Sequence, residues 1–173
     1  MALVLFAGPA LAGPLRVATF HTDLSRKGPG LLLRDILSGK DPQVRAVVGV
    51  IAWAKPDMIL LTGMDQDHDL RALTALADAL GDVGAGYPHR FALPSNRGMR
   101  TGLDLDGDGR LGGLEDAQGY GRFTGDGAMA ILSRLPIDLN GVRDFSEMLW
   151  RDLPGALVTA AGPPEQRLSS AGH

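Results

Sequence analysis

The chain has 173 residues, enough for one domain of ordinary size with a real core. A formal net charge of -3 and a pI near 5.7 leave no basic stripe to neutralise a polyphosphate backbone, which disfavours sequence-independent grip on nucleic acid and leaves a small phosphate ester open as a ligand. With no cysteine there is no disulfide, thiolate nucleophile or thiolate zinc site, so any metal must be held by oxygen or histidine.

In chain order, the opening "MALVLFAGPALAG" joins a short apolar run to Ala10-Leu11-Ala12, the small-x-small pattern that a signal peptidase reads before Gly13. It predicts a signal peptide over residues 1–12 and one domain over 13–173, with a buried first strand as the competing reading. No apolar run approaches the roughly 20 residues that cross a bilayer. The expectation is an exported, soluble protein, secreted or periplasmic, where calcium is plentiful.

"LRVATF", residues 15–20, reads as a strand ending at His21, followed by a polar turn of Thr22 and Asp23. Asp41 is placed to cap a helix and Pro42 to open it, while Val44, Val47, Val48, Ile51 and Ala52 repeat at helical spacing. "DMILLT", 57–62, is a continuous apolar run suited to a strand covered on both faces, and it ends at Gly63. A second amphipathic helix is predicted from His68 to Leu80, stopping at Gly81. "RFALP", 90–94, predicts a short strand, and a long aperiodic loop then reaches Gly127. A buried strand follows over 127–136, and from Leu153 onward the Pro, Gly and Ser content is that of a loop or loose terminus.

Inside the long loop, "DLDGDGRLGGLE" matches the calcium-loop pattern: Asp104, Asp106, Asp108, Gly109, then Glu115 in the twelfth place. Alternating carboxylates converge on a hard cation, Arg110 offers its backbone carbonyl, and Glu115 can close the site with two oxygens. The competing reading is an acidic turn shaped by its glycines alone. Pro94, Gly98 and Gly102 forbid an entering helix, so this is an EF-hand-like loop without an EF-hand. A cation so enclosed by protein oxygens has little room for substrate, which makes the expected Ca2+ structural.

The segments "RVATFH", "KPDMILLTGMD", "LPSNRGMRTGLDLDGDGRLGG", "EDAQGYGRF", "GMAILSRLPI" and "LWRDLPGAL" give the chain a resemblance to secreted bacterial members of the endonuclease/exonuclease/phosphatase superfamily, the DNase I-like fold. The resemblance implies an α/β (α+β) protein, a four-layered sandwich with two packed mixed β-sheets, of which this chain carries the N-terminal part. It also implies a metal-dependent phosphoesterase acting on phosphate mono- or diesters with Mg2+ or Mn2+.

In that family the first strand ends T-F-N, where this chain has His21, and the second ends N-E-x-D, where it has Thr62-Gly63-Met64-Asp65. The glutamate is a principal metal ligand there; Gly63 has no side chain, and Asp65 can replace it only through a bend in the strand. His21 is the other catalytic candidate, either as a ligand for Mn2+ or Zn2+ or as a hydrogen-bonded structural residue. Asn96, in "PSN", matches a loop at the family's active-site rim and is the candidate substrate contact. Ser133 and Arg134 read as structural.

The family's later W-D-x-P-V, S-H-P and N-H-D-E segments have no match, which implies either truncation or a partner chain that completes the fold. The expected activity is therefore weak or absent. The alternative is an exported calcium-binding or interaction module. Tyr120, Arg122 and Phe123 are expected to fasten the acidic loop by aromatic packing, and Trp53 and Trp150 to lie in a core or interface.

Overall fold

A computed structural model describes residues 13–146 and 153–155, so the expectations for 1–12, Trp150 and the segment from 156 lie outside the described residues. Strand β1 (Val17–Leu24) leads through helices α1 (Leu31–Ser38) and α2 (Pro42–Ala54) to β2 (Met58–Met64), and helix α3 (Arg71–Asp82) leads to β3 (His89–Phe91). The long loop then returns the chain to β4 (Ala128–Ser133). The four strands form one mixed sheet in the order β1-β2-β4-β3. β1 and β2 are parallel, as a helical crossover requires, while β4 runs antiparallel to both β2 and β3.

The three helices cover one face of this sheet. Ile59, Leu61, Ala130 and Leu132 point into it and meet Val44, Val47 and Ile51 of α2 and Leu73, Leu76 and Leu80 of α3. Each fully buried leucine here contributes about 1.5–3 kcal/mol of transfer free energy. On the other face Val17 and Met129 are 64% and 63% exposed, with Leu60 and Ile131 half-buried between them. The β2 run is thus covered on one face only among the described residues, not on both.

Local signals explain the elements. Asp41 accepts the Val44 N–H at 2.8 Å with Pro42 opening α2, as predicted. α3 begins later than predicted, at Arg71, because Asp69 and Leu70 are both left-handed and leave only a 3-10 turn before it. The carboxylate of Asp67 takes the Ala72 N–H at 3.1 Å and does the capping. α1 was not expected: its eight residues sit between Gly30 and Gly39, both left-handed, and only Leu32 and Ile36 are buried, so three successive leucines hide its period. Arg26 fastens it by reaching Asp35 at 2.9 Å and the capping Asp41 at 3.4 Å.

Candidate functional site

The carboxyl ends of the parallel pair β1 and β2 carry the residues singled out by sequence. β1 does not stop at Phe20 but runs to Leu24, so His21 stands inside the strand, at the last regular pair before the register with β2 shifts. Thr22, expected in a turn, is buried and holds this irregularity: its hydroxyl lies 3.1 Å from the Thr62 carbonyl and 3.2 Å from that of Gly63. Gly63 has φ +68° and is skipped in the pairing with β4, where Thr62 faces Met129 and Met64 faces Ala128. It is the extra residue of a β-bulge.

The imidazole of His21 lies directly on Gly63. A Cβ at position 63 would come 2.5 Å from its Cε1 and 3.0 Å from each ring nitrogen, while Nδ1 sits 3.1 Å from Thr62 Oγ1. Histidine at 21 and glycine at 63 are therefore one feature: the ring occupies the volume that a side chain at 63 would need.

Asp65 is carried inward by the same bulge. It is 5% exposed, and its two oxygens take the N–H of Gly127 at 3.0 Å and of Arg26 at 2.8 Å, joining the ends of β1, β2 and the long loop. Burial raises its pKa above the ordinary carboxylate value, against the pull of those two N–H groups, and the nearby charge of Asp126 adds to the rise. With no donor at Gly63 and both oxygens of Asp65 engaged by backbone, the described residues at these strand ends do not fit a resident Mg2+ or Mn2+.

The long loop is folded rather than loose. Bridges at Arg97–Gly119 and Arg100–Ala117 close it into a ribbon, and Gln66 fastens it to β2 by donating N–H to the Gly125 carbonyl at 2.8 Å. At its tip, ligand oxygens of Asp104, Asp106 and Asp108 lie within 4.8 Å of one another, all exposed. Asp104 accepts the N–H of Gly107, Asp108 and Gly109, which winds the turn. The Asp108 N–H pulls the Asp106 carboxyl down, but partial desolvation and the neighbouring carboxyls of Asp108 and Asp104 outweigh it, so its pKa is raised.

Arg110 donates its N–H to Asp108 at 2.8 Å, and Glu115 folds back over Gly113, outside the aspartate group. The residue that closes the loop is its neighbour Asp116. Buried at 3% exposure, it takes the N–H of Leu105, Gly112 and Gly113 at 2.7–2.9 Å, and the Leu105 N–H first, then the other two, hold its pKa below the ordinary value. Sequence reading missed it because the calcium-loop pattern points to Glu115. Tyr120 is 60% exposed and does not pack; its carbonyl, not its ring, is used, accepting from Arg97 at 3.0 Å. Trp53, at 85% exposure, lies outside the core.

On the open face, Asn96, Arg97 and Gly127 form the polar end of a groove of about 540 Å³ floored by Leu60, Met129 and Ile131. Asn96 donates to the Ser146 carbonyl at 3.0 Å on its far wall. Ser133 is fully buried in β4, and its hydroxyl donates to the Leu135 carbonyl and accepts the Leu135 N–H, as expected of a structural residue.

A mixed sheet of this order, with a helical crossover between its parallel strands and polar groups gathered at their carboxyl ends, defines an α/β protein of DNase I-like type. Residues 23–170 match the Endonuclease/Exonuclease/phosphatase family, and the chain belongs to it. Its function at family level is that of a phosphoesterase or nuclease. No curated protein and no solved structure matches the chain.

Proposed function

We propose that this chain is an exported phosphate-ester-binding protein of phosphoesterase descent, whose own turnover of phosphate mono- or diesters is weak or absent and whose acidic loop holds a structural Ca2+. The observation that carries the reading is the His21 ring seated on Gly63, 2.5 Å from where a Cβ would stand. It leaves the strand ends able to meet a ligand through imidazole and hydroxyl but without a carboxylate for a catalytic metal. Since each 1.36 kcal/mol of lost transition-state stabilisation is a factor of ten in rate, losing one metal ligand set slows turnover by several orders of magnitude.

Hydrolysis of a generic phosphodiester in Mg2+ or Mn2+ tests this. No turnover above the buffer blank at high protein concentration is expected; turnover that His21→Ala abolishes would instead make the chain an enzyme with His21 as its general base or metal ligand. For the loop, the grouping of Asp104, Asp106 and Asp108 supports Ca2+, with the Arg110 carbonyl and a rotated Glu115 completing the shell. Calorimetric titration should show binding that Asp106→Ala weakens, and an isotherm unchanged by that substitution counts against it.

The second reading, a calcium-binding or interaction module without catalysis, is favoured by the sheet face that the described residues leave largely uncovered. Val17, Leu60, Met129 and Ile131 form an apolar strip suited to a second β-layer supplied by a partner chain. Met129→Lys should abolish association with such a partner while leaving Ca2+ affinity intact. Export rests on Ala10-Leu11-Ala12 and is checked by finding Gly13 at the amino terminus of the mature protein.

A further inference from the structure

Arg97 is held on every side but one. Its Nε donates to the Tyr120 carbonyl at 3.0 Å and its Nη1 to the Gly127 carbonyl at 3.4 Å, while its backbone N–H goes to Ser95 Oγ at 3.1 Å and its carbonyl accepts from Gly125 at 3.0 Å. A guanidinium has five N–H donors, so most remain unused. Among the described residues no carboxylate lies within ion-pair distance of it, although it is exposed and the other fixed arginine of this region, Arg26, has two. A cation positioned by carbonyls, with no counter-charge among the described residues, has donors left for a ligand.

What surrounds that free edge is specific. Gly127, at φ +58°, is bare where a Cβ would come 2.6 Å from Arg97 Nη1 and 3.5 Å from Ser25 Oγ, so both groups border one point above this glycine. Ser25 Oγ, at the end of β1, makes no hydrogen bond to another described residue. Gly63 and Gly127 sit on either side of the Met64–Ala128 pair, diagonal neighbours across β2 and β4, with the His21 ring over the first and Arg97 Nη1 and Ser25 Oγ over the second. Two bare glycines thus let three polar side chains approach the backbone at neighbouring points.

We propose that Arg97 and Ser25 form a phosphate-binding corner, flanked by His21, at the carboxyl ends of β1 and β2. The inference rests on the reading of the chain as a phosphate-ester-binding protein and adds to it the residue that fixes the phosphate. A phosphate oxygen pair accepts from two of the three free Nη N–H groups as a fork, and a third oxygen accepts from the Ser25 hydroxyl. The opposing charges are Asp65 and Asp126, which lie behind the Gly127 backbone at 5% and 1% exposure, and Asp144, an exposed carboxylate lining the same groove, outside ion-pair distance of Arg97 and accepting from the Ser146 N–H and hydroxyl. Asp65 turns both oxygens to backbone N–H, and one oxygen of Asp126 faces the Arg122 N–H at 2.9 Å.

The test is titration of the full chain with inorganic phosphate, phenyl phosphate and a phosphodiester, in buffer free of Mg2+ and Mn2+ and run both with Ca2+ and with EDTA, with folding followed by circular dichroism. Arg97→Met should weaken phosphate binding at least about tenfold, the loss expected for a charge-assisted pair. Arg97→Lys, which keeps the charge and loses the fork, should fall between that variant and the parent chain. Ser25→Ala should weaken binding a few-fold without disturbing the fold, and it decides the matter if Arg97→Met does not fold. Equal affinities for inorganic phosphate and phenyl phosphate would show that the phosphate alone is recognised; tighter phenyl phosphate would show that the ester is. Either supports the corner.

Failure of the parent chain to bind any of the three, or unchanged affinity in folded Arg97→Met or Ser25→Ala, overturns it. Hydrolysis assays read the broader proposal separately: phosphate bound through Arg97 with brisk turnover would refute weak catalysis and leave the corner standing.

Discussion

Gly63→Ala is the sharpest perturbation of the strand ends, because one methyl group is asked to share the space of the His21 ring. At φ +68° a residue with a Cβ carries a backbone penalty of roughly 1–2 kcal/mol. The new Cβ, 2.5 Å from the imidazole Cε1, must also push the ring away and break its 3.1 Å contact with Thr62, which adds about 0.5–1.5 kcal/mol. The single substitution should therefore destabilise by about 2–3 kcal/mol. In a His21→Ala background only the backbone penalty remains. Urea unfolding of the parent, both single variants and the double variant should give a coupling of about 1 kcal/mol, equivalent to roughly 2–4 °C in a thermal melt. Additivity within about 0.3 kcal/mol would refute the claim that ring and glycine are one feature. The same reasoning orders a second pair: Gly63→Glu should fold better together with His21→Asn than alone.

Asp65→Ala strips the acceptor from the buried N–H groups of Arg26 and Gly127 and should cost about 2–4 kcal/mol in urea unfolding, whereas Asp65→Asn, which keeps one acceptor, should cost less. Because the Asp65 pKa is raised in the folded state, the folded protein binds its proton more readily than the unfolded chain; its ionisation destabilises at neutral pH, and that loss is recovered as pH falls through the folded value towards 3.8. Asp35 behaves oppositely: with its pKa lowered by hydrogen bonds from Arg26 and Arg34, its contribution is present above 3.8 and lost as pH falls further. Comparing stability–pH curves of the parent with Asp65→Asn and Asp35→Asn should give difference curves of opposite slope; parallel curves would contradict both assignments. Calcium at about a hundred times its dissociation constant should stabilise the chain by about 2.7 kcal/mol, an increment that EDTA removes and that Asp106→Ala lacks.

The helices and strands with long or regular patterns were legible: the Asp41-Pro42 cap and valine spacing of α2, the apolar run of β2 and the leucine face of α3 all lie where periodicity puts them. α1 was not, because two buried residues in eight give no period to detect. The end of β1 was misplaced for a different reason. Thr22 and Asp23 look like turn residues, and only the tertiary bond from Thr22 to the carbonyls of β2 keeps them in the strand. The site divides in the same way: His21 and Gly63 were visible as departures from a family pattern and Asp65 as a position that keeps it, but that the His21 ring fills the space of a side chain at 63 is a distance that spacing cannot contain.

The distribution of carboxylates gives the loop and the strand ends a common logic. Asp65, Asp116 and Asp126 are each at most 5% exposed; the first two take two and three backbone N–H groups from turns with no partner strand to supply an acceptor, while Asp126 takes the Arg122 N–H and faces its guanidinium through one oxygen only. They are what lets a ribbon of about thirty residues with little regular structure hold one shape. Asp104, Asp106 and Asp108 are exposed and repel one another, so beyond the turn that Asp104 winds, the proposed Ca2+ is what would turn their grouping into a stabilising contact. Since Gln66 and Asp65 fasten the far end of that ribbon directly to β2, ordering its tip also restrains Gly127 and the Arg97 guanidinium lying over it. Calcium in the loop and phosphate at the corner are then expected to favour the same ribbon conformation. By linkage each should tighten the other's binding, and equal phosphate affinity with and without Ca2+ would show that the ribbon is already rigid.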